Sequence, residues 1–234
     1  MTRKIVAGAQ FHEDLASNWS SGYISGSFER RLNVVRSLLH DLVIPDSKWL
    51  DAGCGTGLLT RELCSMGALA NGIDASPKMI TAAQTESLLV NELLSFRQVG
   101  SIEVIDSESC VFDGVLCSSV IEYVESPHKV LGEFARVLKP GGKLLVSVPN
   151  KRSLVRNMQK LCRYLAGWFG GNVFGYLSVS KREFTTSEIA SSLQKVGFSI
   201  DKIEKFDPFI PNCLSSFGLG SLIIISAHLE EPGP

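Results

Sequence analysis

Leu50-Asp51-Ala52-Gly53-Cys54-Gly55-Thr56-Gly57 is the stretch on which the reading of this chain turns. Lys48 to Ala52 has the length and apolar character of a short buried strand, and it runs straight into the glycines. Beyond them Leu58, Leu59, Leu63 and Met66 fall at helical spacing, closed by Gly67. A strand that passes through small residues into a helix lets backbone approach a ligand closely and aims helix N–H groups at it. A glycine-rich turn can also do no more than tighten a strand–helix junction. A dinucleotide fingerprint needs G-x-G-x-x-G, but here the third glycine follows the second by two residues and Leu58 fills the expected slot. The loop is therefore shaped differently from one that cradles a pyrophosphate. Asp74, at the end of the next apolar run (Ala68 to Ile73), has two readings. It is either a turn residue before a helix cap at Ser76 or a carboxylate that accepts from both ribose hydroxyls of an adenosine. Its pairing with the glycine loop one strand away favours the second.

Working outward, Leu32, Val35, Leu38, Leu39, Leu42 and Val43 mark one face of a helix over 28–43, stopped by Pro45-Asp46. Ser76-Pro77 reads as an N-cap followed by proline at the first helical position, where a missing N–H costs nothing. Leu94 to Val99 and Phe112 to Cys117 read as strands. Val130, Leu131, Phe134, Val137 and Leu138 form a helical stripe that Lys139-Pro-Gly-Gly is expected to break before a fifth strand, Lys143 to Val148. Such alternation predicts an α/β domain with a mainly parallel sheet. After Pro149 the rhythm stops, and residues 150–184 form an insertion rich in aromatic and basic residues. Order resumes at Thr185-Thr-Ser-Glu188, a capping-box pattern leading to Ile189, Leu193, Val196 and Gly197. Ser199 to Phe206 and Leu219 to Ala227 supply two closing strands. The expected organisation is one domain over 1–234, with an N-terminal helical cap (1–46) and a lid insertion (150–184).

Composition sets outer bounds. With 234 residues the chain has room for one full α/β core. A formal net charge of −1 exerts no global pull toward nucleic acid or an anionic membrane. The six cysteines form no C-x-x-C pair and have no histidine at ligand spacing, so reduced thiols are expected rather than disulfides or zinc. The first residues lack a secretory signal's apolar stretch, and no apolar run approaches the roughly 18 residues that span a membrane. A cytoplasmic, soluble protein is the expectation.

Several stretches in order now carry a resemblance. L-D-A-G-C-G-T-G (50–57), G-I-D-A-S-P-K-M-I (72–80), F-D-G-V-L-C-S-S-V-I-E-Y-V (112–124) and L-K-P-G-G-K-L-L-V-S-V-P-N (138–150) resemble the ordered motifs of class I S-adenosylmethionine-dependent methyltransferases. The nearest flavour is the ubiquinone-biosynthesis-like group of small-molecule O-methyltransferases. The resemblance implies a Rossmann-like, seven-stranded, mainly parallel sheet with helices on both faces, a helical lid after the fifth strand, and S-adenosylmethionine as cofactor. It also implies roles by position. Gly53, Cys54, Gly55 and Gly57 would line the methionine part, Asp51 would hold its ammonium and Asp74 its ribose. Ala75 and Met79 would pack near the adenine, edged by Ser101 and Ile102 where many relatives carry an aspartate. Ser118 would face the sulfonium end. The N-terminal segment (Phe11, Trp19, Tyr23, Phe28) would fold over the cofactor, with Tyr23 beside it and Arg31 or Arg30 reaching its carboxylate.

Methyl transfer asks mainly for geometry, because the sulfonium is already a strong electrophile. A base is needed only for a protonated acceptor. Tyr123 and His128 are the candidates, and Glu122 reads better as a helix-start residue bonded to backbone donors. Relatives often have a histidine where Tyr123 stands. Ser118, Ser119 and Tyr123 lack the clustered acids and histidines of a catalytic metal, so none is expected. Oxygen methylation of a small-molecule acceptor by direct in-line transfer is the leading expectation. The alternatives are N- or C-methylation of a small metabolite or of a tetrapyrrole- or lipid-like acceptor, and a non-catalytic cofactor-binding module. No nucleic-acid partner is expected. In the insertion, Leu154, Val155, Met158, Leu161, Leu165, Trp168 and Phe169 share a stripe among Arg152, Arg156, Lys160 and Arg163. The stripe reads as a lid over the acceptor, with peripheral membrane contact through 152–169 as the second reading.

Overall fold

The computed structural model describes residues 27–87, 93–168, 180–207 and 219–231, together with Leu177, Ile210 and Ser215. Helix α1 spans Ser27–Leu42, followed by β1 (Lys48–Ala52), α2 (Leu58–Ser65), β2 (Leu69–Asp74), α3 (Pro77–Glu86) and β3 (Leu94–Gln98). Then come β4 (Phe112–Ser118), a single 3-10 turn (Ile121–Tyr123), α4 (Pro127–Val137), β5 (Leu138–Pro149) and α5 (Leu154–Trp168). α6 (Thr186–Gln194), β6 (Phe198–Phe206) and β7 (Leu222–Leu229) complete the domain.

The strands form one seven-stranded sheet in the order β3-β2-β1-β4-β5-β7-β6. The first five are parallel, and β7 runs antiparallel to both β5 and β6. Consecutive residues along the central strands serve opposite cores, as the period of two requires. Val115 and Cys117 on β4, Val146 on β5 and Ile225 on β7 pack with α4 (Val130, Phe134) and α6 (Ile189, Leu193). Leu116, Leu145 and Ile224 pack instead with α1 (Val35, Leu39), α2 (Leu63) and Trp49. Helices therefore cover both faces, which explains why these strands read as continuous apolar runs.

Two local signals act as the sequence suggests. The Ser76 side chain accepts the Met79 N–H with Pro77 beginning the helix. At α6 the capping box is complete: Thr185 N–H donates to Glu188 at 2.7 Å and Glu188 N–H to Thr185 Oγ1 at 3.2 Å. One local expectation is corrected. Lys139-Pro-Gly-Gly does not separate a helix from a strand but lies inside β5, which begins at Leu138 opposite Phe112. The pairing register shifts between Phe112 and Gly114 and resumes at Gly114↔Lys143. That bulge absorbs Pro140 and the positive φ of Gly141 (74°) where no ladder bond is asked of them.

Candidate functional site

From β1 the chain winds outward through β2 to β3, then returns to lay β4 on the other side of β1. A crevice opens at such a reversal, beyond the carboxyl ends of the two strands. The glycine loop follows β1 on one side of it, and Ser118 and Ser119 end β4 on the other.

Backbone hydrogen bonds tie the loop to β2. Gly53 and Cys54 N–H both donate to the Ile73 carbonyl (2.8 and 3.0 Å), and Gly57 N–H to the Cys54 carbonyl (2.9 Å). Gly53, Gly55 and Gly57 all have left-handed φ (82°, 54° and 77°), which L side chains rarely adopt. Space is as restrictive: a Cβ on Gly53 would stand 2.3 Å from Val120 Cγ2, and one on Gly57 2.5 Å from the Phe96 ring.

Asp74 joins the loop to the end of β2. Its Oδ2 accepts the Gly55 N–H at 2.9 Å and its Oδ1 the Ser76 N–H at 2.8 Å. Burial raises the carboxyl's pKa, and the Ser76, Gly55 and Ala75 N–H groups oppose that rise. Each carboxylate oxygen keeps a second lone pair, so turn residue and ribose acceptor are compatible roles. Asp51 is almost fully buried and accepts from Thr60 Oγ1 at 2.7 Å. Burial pushes it up to about 7, against the Thr60 hydrogen bond and with help from the Asp74 charge. A cationic ligand group at Asp51 would offset that burial. Burial, then the charges of Asp51 and Asp74, raise the Cys54 thiol well above its usual range, so Cys54 sits there as a small neutral hydrophobe. Glycines that a Cβ would obstruct, the buried Asp51, the partly buried Asp74 and a crevice between β1 and β4 fit the cofactor that the resemblance implies.

Farther out, Met79 and Ile102 are buried, Ala75 is partly buried, and the Ser101 hydroxyl accepts the Glu103 N–H at 3.1 Å. Across the crevice, Arg31 Nη2 donates to both Ser118 Oγ and Ser119 Oγ at 2.8 Å. Ser118 Oγ lies 3.2 Å from Ser147 Oγ of β5, and Ser119 holds a left-handed φ of 56°. Of the two arginines, Arg31 is therefore the one at the carboxyl end of β4. Arg30 donates to the Ile210 carbonyl.

The base candidates separate. Tyr123 is partly buried in the 3-10 turn, with its N–H on the Val120 carbonyl (2.9 Å), whereas His128 is exposed on the first turn of α4. Glu122 is the surprise. It is 3% exposed, and its Oε2 is buried with no hydrogen-bond partner. The sequence reading set it aside as a helix-start residue and passed over Thr60, Val120 and Ser147; a polar residue within the apolar run Leu144 to Val148 was the available signal for Ser147. Phe11, Trp19 and Tyr23 lie outside the described residues. Among those described, no group of three or more His, Cys, Asp or Glu could hold a metal ion.

The two ends of the insertion meet at a bridge. Asn150 and Phe184 form an isolated parallel bridge, Lys151 N–H meets the Phe184 carbonyl (2.9 Å), and Phe184 N–H meets that of Pro149 (3.0 Å). Val155 and Arg156 of α5 are buried, and Arg156 and Lys160 both pair with Glu183. Leu154, Met158, Leu161 and Leu165 face solvent, 50–61% exposed. Part of the proposed stripe, Phe169, lies outside the described residues. No described helix is long and apolar enough to cross a membrane.

Comparison with known proteins agrees with this geometry. Residues 50–146 match the family described as "Methyltransferase domain". A ubiquinone biosynthesis O-methyltransferase from Xanthomonas oryzae pv. oryzae (strain PXO99A) is 35% identical over 111 residues, 47% of this chain and 46% of that protein. The chain thus aligns with a little under half the length of that curated relative. In fold it is similar to a chain in the complex between the Haloferax volcanii Trm112 methyltransferase activator and the putative methyltransferase. That likeness has TM-score 0.71 at 18% identity, covering 94% of this chain and 98% of the other. It is also similar to magnesium protoporphyrin IX methyltransferase from Synechocystis PCC 6803 with bound SAH. Here the TM-score is 0.68 at 21% identity, covering 92% and 94% of the two chains. With the glycine loop, Asp74 and the strand order already in place, residues 50–146 match a methyltransferase domain, and the chain is similar in fold to S-adenosylmethionine-dependent methyltransferases.

Proposed function

We propose that this protein transfers a methyl group from S-adenosylmethionine to an oxygen of a small-molecule acceptor. The observation that carries the reading is the bond from Gly55 N–H to Asp74 Oδ2, which sets a cofactor-type carboxylate against a cofactor-type loop at the sheet's reversal. Oxygen as the nucleophile is supported by the name of the curated relative, an O-methyltransferase. In this reading Gly53, Cys54, Gly55 and Gly57 surround the methionine moiety through backbone, and Asp51 holds its ammonium. Asp74 takes the ribose hydroxyls, Ala75, Met79, Ser101 and Ile102 border the adenine, and Ser118 and Arg31 face the sulfonium and carboxylate end. When bound, the cofactor supplies an electrophilic methyl; the chain's own part is to hold the acceptor in line and keep water out. Calorimetry with S-adenosylmethionine and NADH side by side, followed by radiolabelled methyl transfer to a panel of phenols, alcohols and amines, tests it. Binding of NADH alone would sink the reading, and cofactor binding without transfer to any acceptor would leave a binding module.

The insertion, in the same reading, closes over the acceptor. The Asn150↔Phe184 bridge between its two ends and the pairing of Lys181 with Glu125 beside the 3-10 turn support that role. The outward stripe Leu154, Met158, Leu161 and Leu165, on a helix with no acidic residue, favours a second one: contact with an anionic lipid surface.

A further inference from the structure

We propose that the chain pairs with a second copy of itself along the outer edge of β6, so that one sheet runs through both copies across a two-fold axis at Ile203. The surface is separate from the crevice, and the inference does not depend on methyl transfer.

β6 ends the sheet: among the described residues it pairs only with β7. Alternate backbone N–H and C=O groups along it therefore point outward, and such a row is a template for another strand. Asp201, Lys202 and Ile203 are consecutive and all exposed, although neighbours on a strand point to opposite faces. The strand is thus open on both faces there. Ile203, 39% exposed, is an apolar residue flanked on each side by two charges. β5 and β7 separate this edge from β4, so pairing here leaves the crevice free.

The order of the charges identifies the occupant. Asp201-Lys202-Ile203-Glu204-Lys205 reads minus, plus, neutral, minus, plus, so reversing its direction about Ile203 exchanges every sign. Two antiparallel copies with Ile203 opposite Ile203 set Lys202 against Glu204 and Asp201 against Lys205, each pair occurring twice. Opposite charges directly across a strand pair stabilise it, and like charges destabilise it. A two-fold axis perpendicular to a continuous sheet brings together only side chains of the same face, so it passes through a residue that meets itself. An axis on any of the four charged positions would set that charge against its own copy. Parallel pairing in register would do so at all four. The neutral residue is the one centre at which every charge finds its opposite.

Within one copy Lys202 Nζ already meets Glu204 Oε1 at 2.7 Å, so these side chains from two copies close an alternating ring beside the axis. On the other face His228 Nδ1 at 2.6 Å and Lys143 Nζ at 3.9 Å hold Asp201, which faces the partner's Lys205. The register of β6 on β7 shifts between Ile200 and Lys202, and this bulge ends the regular edge. An edge this short buries less surface than a permanent dimer, so the association is reversible and follows concentration.

Sedimentation of the full chain at rising concentration compares wild type, Lys202→Glu, and the charge swap that combines Lys202→Glu with Glu204→Lys. Wild type should pass from monomer to dimer, and added salt should oppose the passage. Lys202→Glu should raise the dimer dissociation constant about tenfold or more, because both symmetry-related pairs turn repulsive, and the swap should restore it. Ile203→Cys tests the axis itself. Its two copies would face each other with Cα atoms about 4.5–5.5 Å apart, within the span of a disulfide. Mild oxidation should link Ile203→Cys into covalent dimers. Lys205→Cys, which lies opposite Asp201 rather than its own copy, should show only the wild-type background from Cys110 and Cys162. A chain that stays monomeric at every concentration overturns the proposal. So does a dimer that a folded Lys202→Glu forms as tightly as wild type, or one that Ile203→Cys does not bridge.

Discussion

The backbone N–H of Gly55 donates to Oδ2 of Asp74 at 2.9 Å, so the loop after β1 and the acid at the end of β2 form one unit. Asp74→Ala removes the ribose acceptor and the loop's anchor together. S-adenosylmethionine affinity should drop by about 1–3 kcal/mol, the range for stranding hydrogen-bonded groups. Unchanged affinity by calorimetry in a folded variant would remove Asp74 from the site.

Gly53 faces Val120 with no room for a methyl group. Gly53→Ala should cost about 1–3 kcal/mol of stability from the left-handed φ and the clash, and should weaken cofactor binding. Gly55→Val should abolish binding. Combining Gly53→Ala with Val120→Ala should recover part of the loss, because the second change relieves contact but not backbone strain. Denaturant unfolding reads the outcome; equal stability of wild type and Gly53→Ala contradicts it.

Asp51 and Glu122 both have folded pKa values raised to about 7 against about 4 in the unfolded chain. For an acid raised in this way, the stability it contributes is full below the unfolded pKa and is lost as pH rises through the folded one. Cofactor-free Asp51→Asn and Glu122→Gln should therefore lose less stability than wild type between pH about 4 and about 7. Asp113 and Glu133, whose pKa values are lowered, behave alike in all three proteins and cancel in the comparison. Cofactor affinity should rise with pH through about 7 as Asp51 ionises to meet the ammonium, and Asp51→Asn should lose that rise. Parallel thermal melts of wild type and variants across this range would refute the first claim.

Residues 151–183 lie between the Asn150↔Phe184 bridge partners. Replacing them with a short glycine linker should leave cofactor affinity nearly intact and remove acceptor turnover. Normal turnover by the folded, shortened protein would end the lid reading. Separately, wild type should sediment with anionic vesicles and be released by salt if Leu154, Met158, Leu161 and Leu165 meet a lipid surface. Failure to sediment at low salt excludes that contact.

Treatment with EDTA should leave methyl transfer unchanged, since the described residues assemble no cluster of metal ligands around Ser119 and Tyr123. Activity lost to EDTA and restored by Mg²⁺ would contradict this.

What the sequence determined by itself is what short spacing encodes. The alternation of strand and helix, the Ser76 cap, the Thr185–Glu188 box and the left-handed glycines each depend on neighbours within a few residues, and each is realised. The link between the glycine loop and Asp74 was legible too, because strand β2 necessarily carries Asp74 back beside β1. Only tertiary structure decided the rest. Gly114 looks like a weak point in a strand, yet a Cβ there would stand 2.3 Å from the Trp49 ring that fills the core. Arg31 rather than Arg30 reaches Ser118 because the crossing of α1 over the sheet selects one side chain. Lys139-Pro-Gly-Gly joins a strand because β4 offers a bulge to receive it. Glu122 reads as a helix-start residue bonded to backbone donors but is buried, with Oε2 unpartnered, among charges from α1 and the insertion. Its environment is set by Arg31, Arg156 and Lys181, far away in the chain, and no local pattern records that meeting.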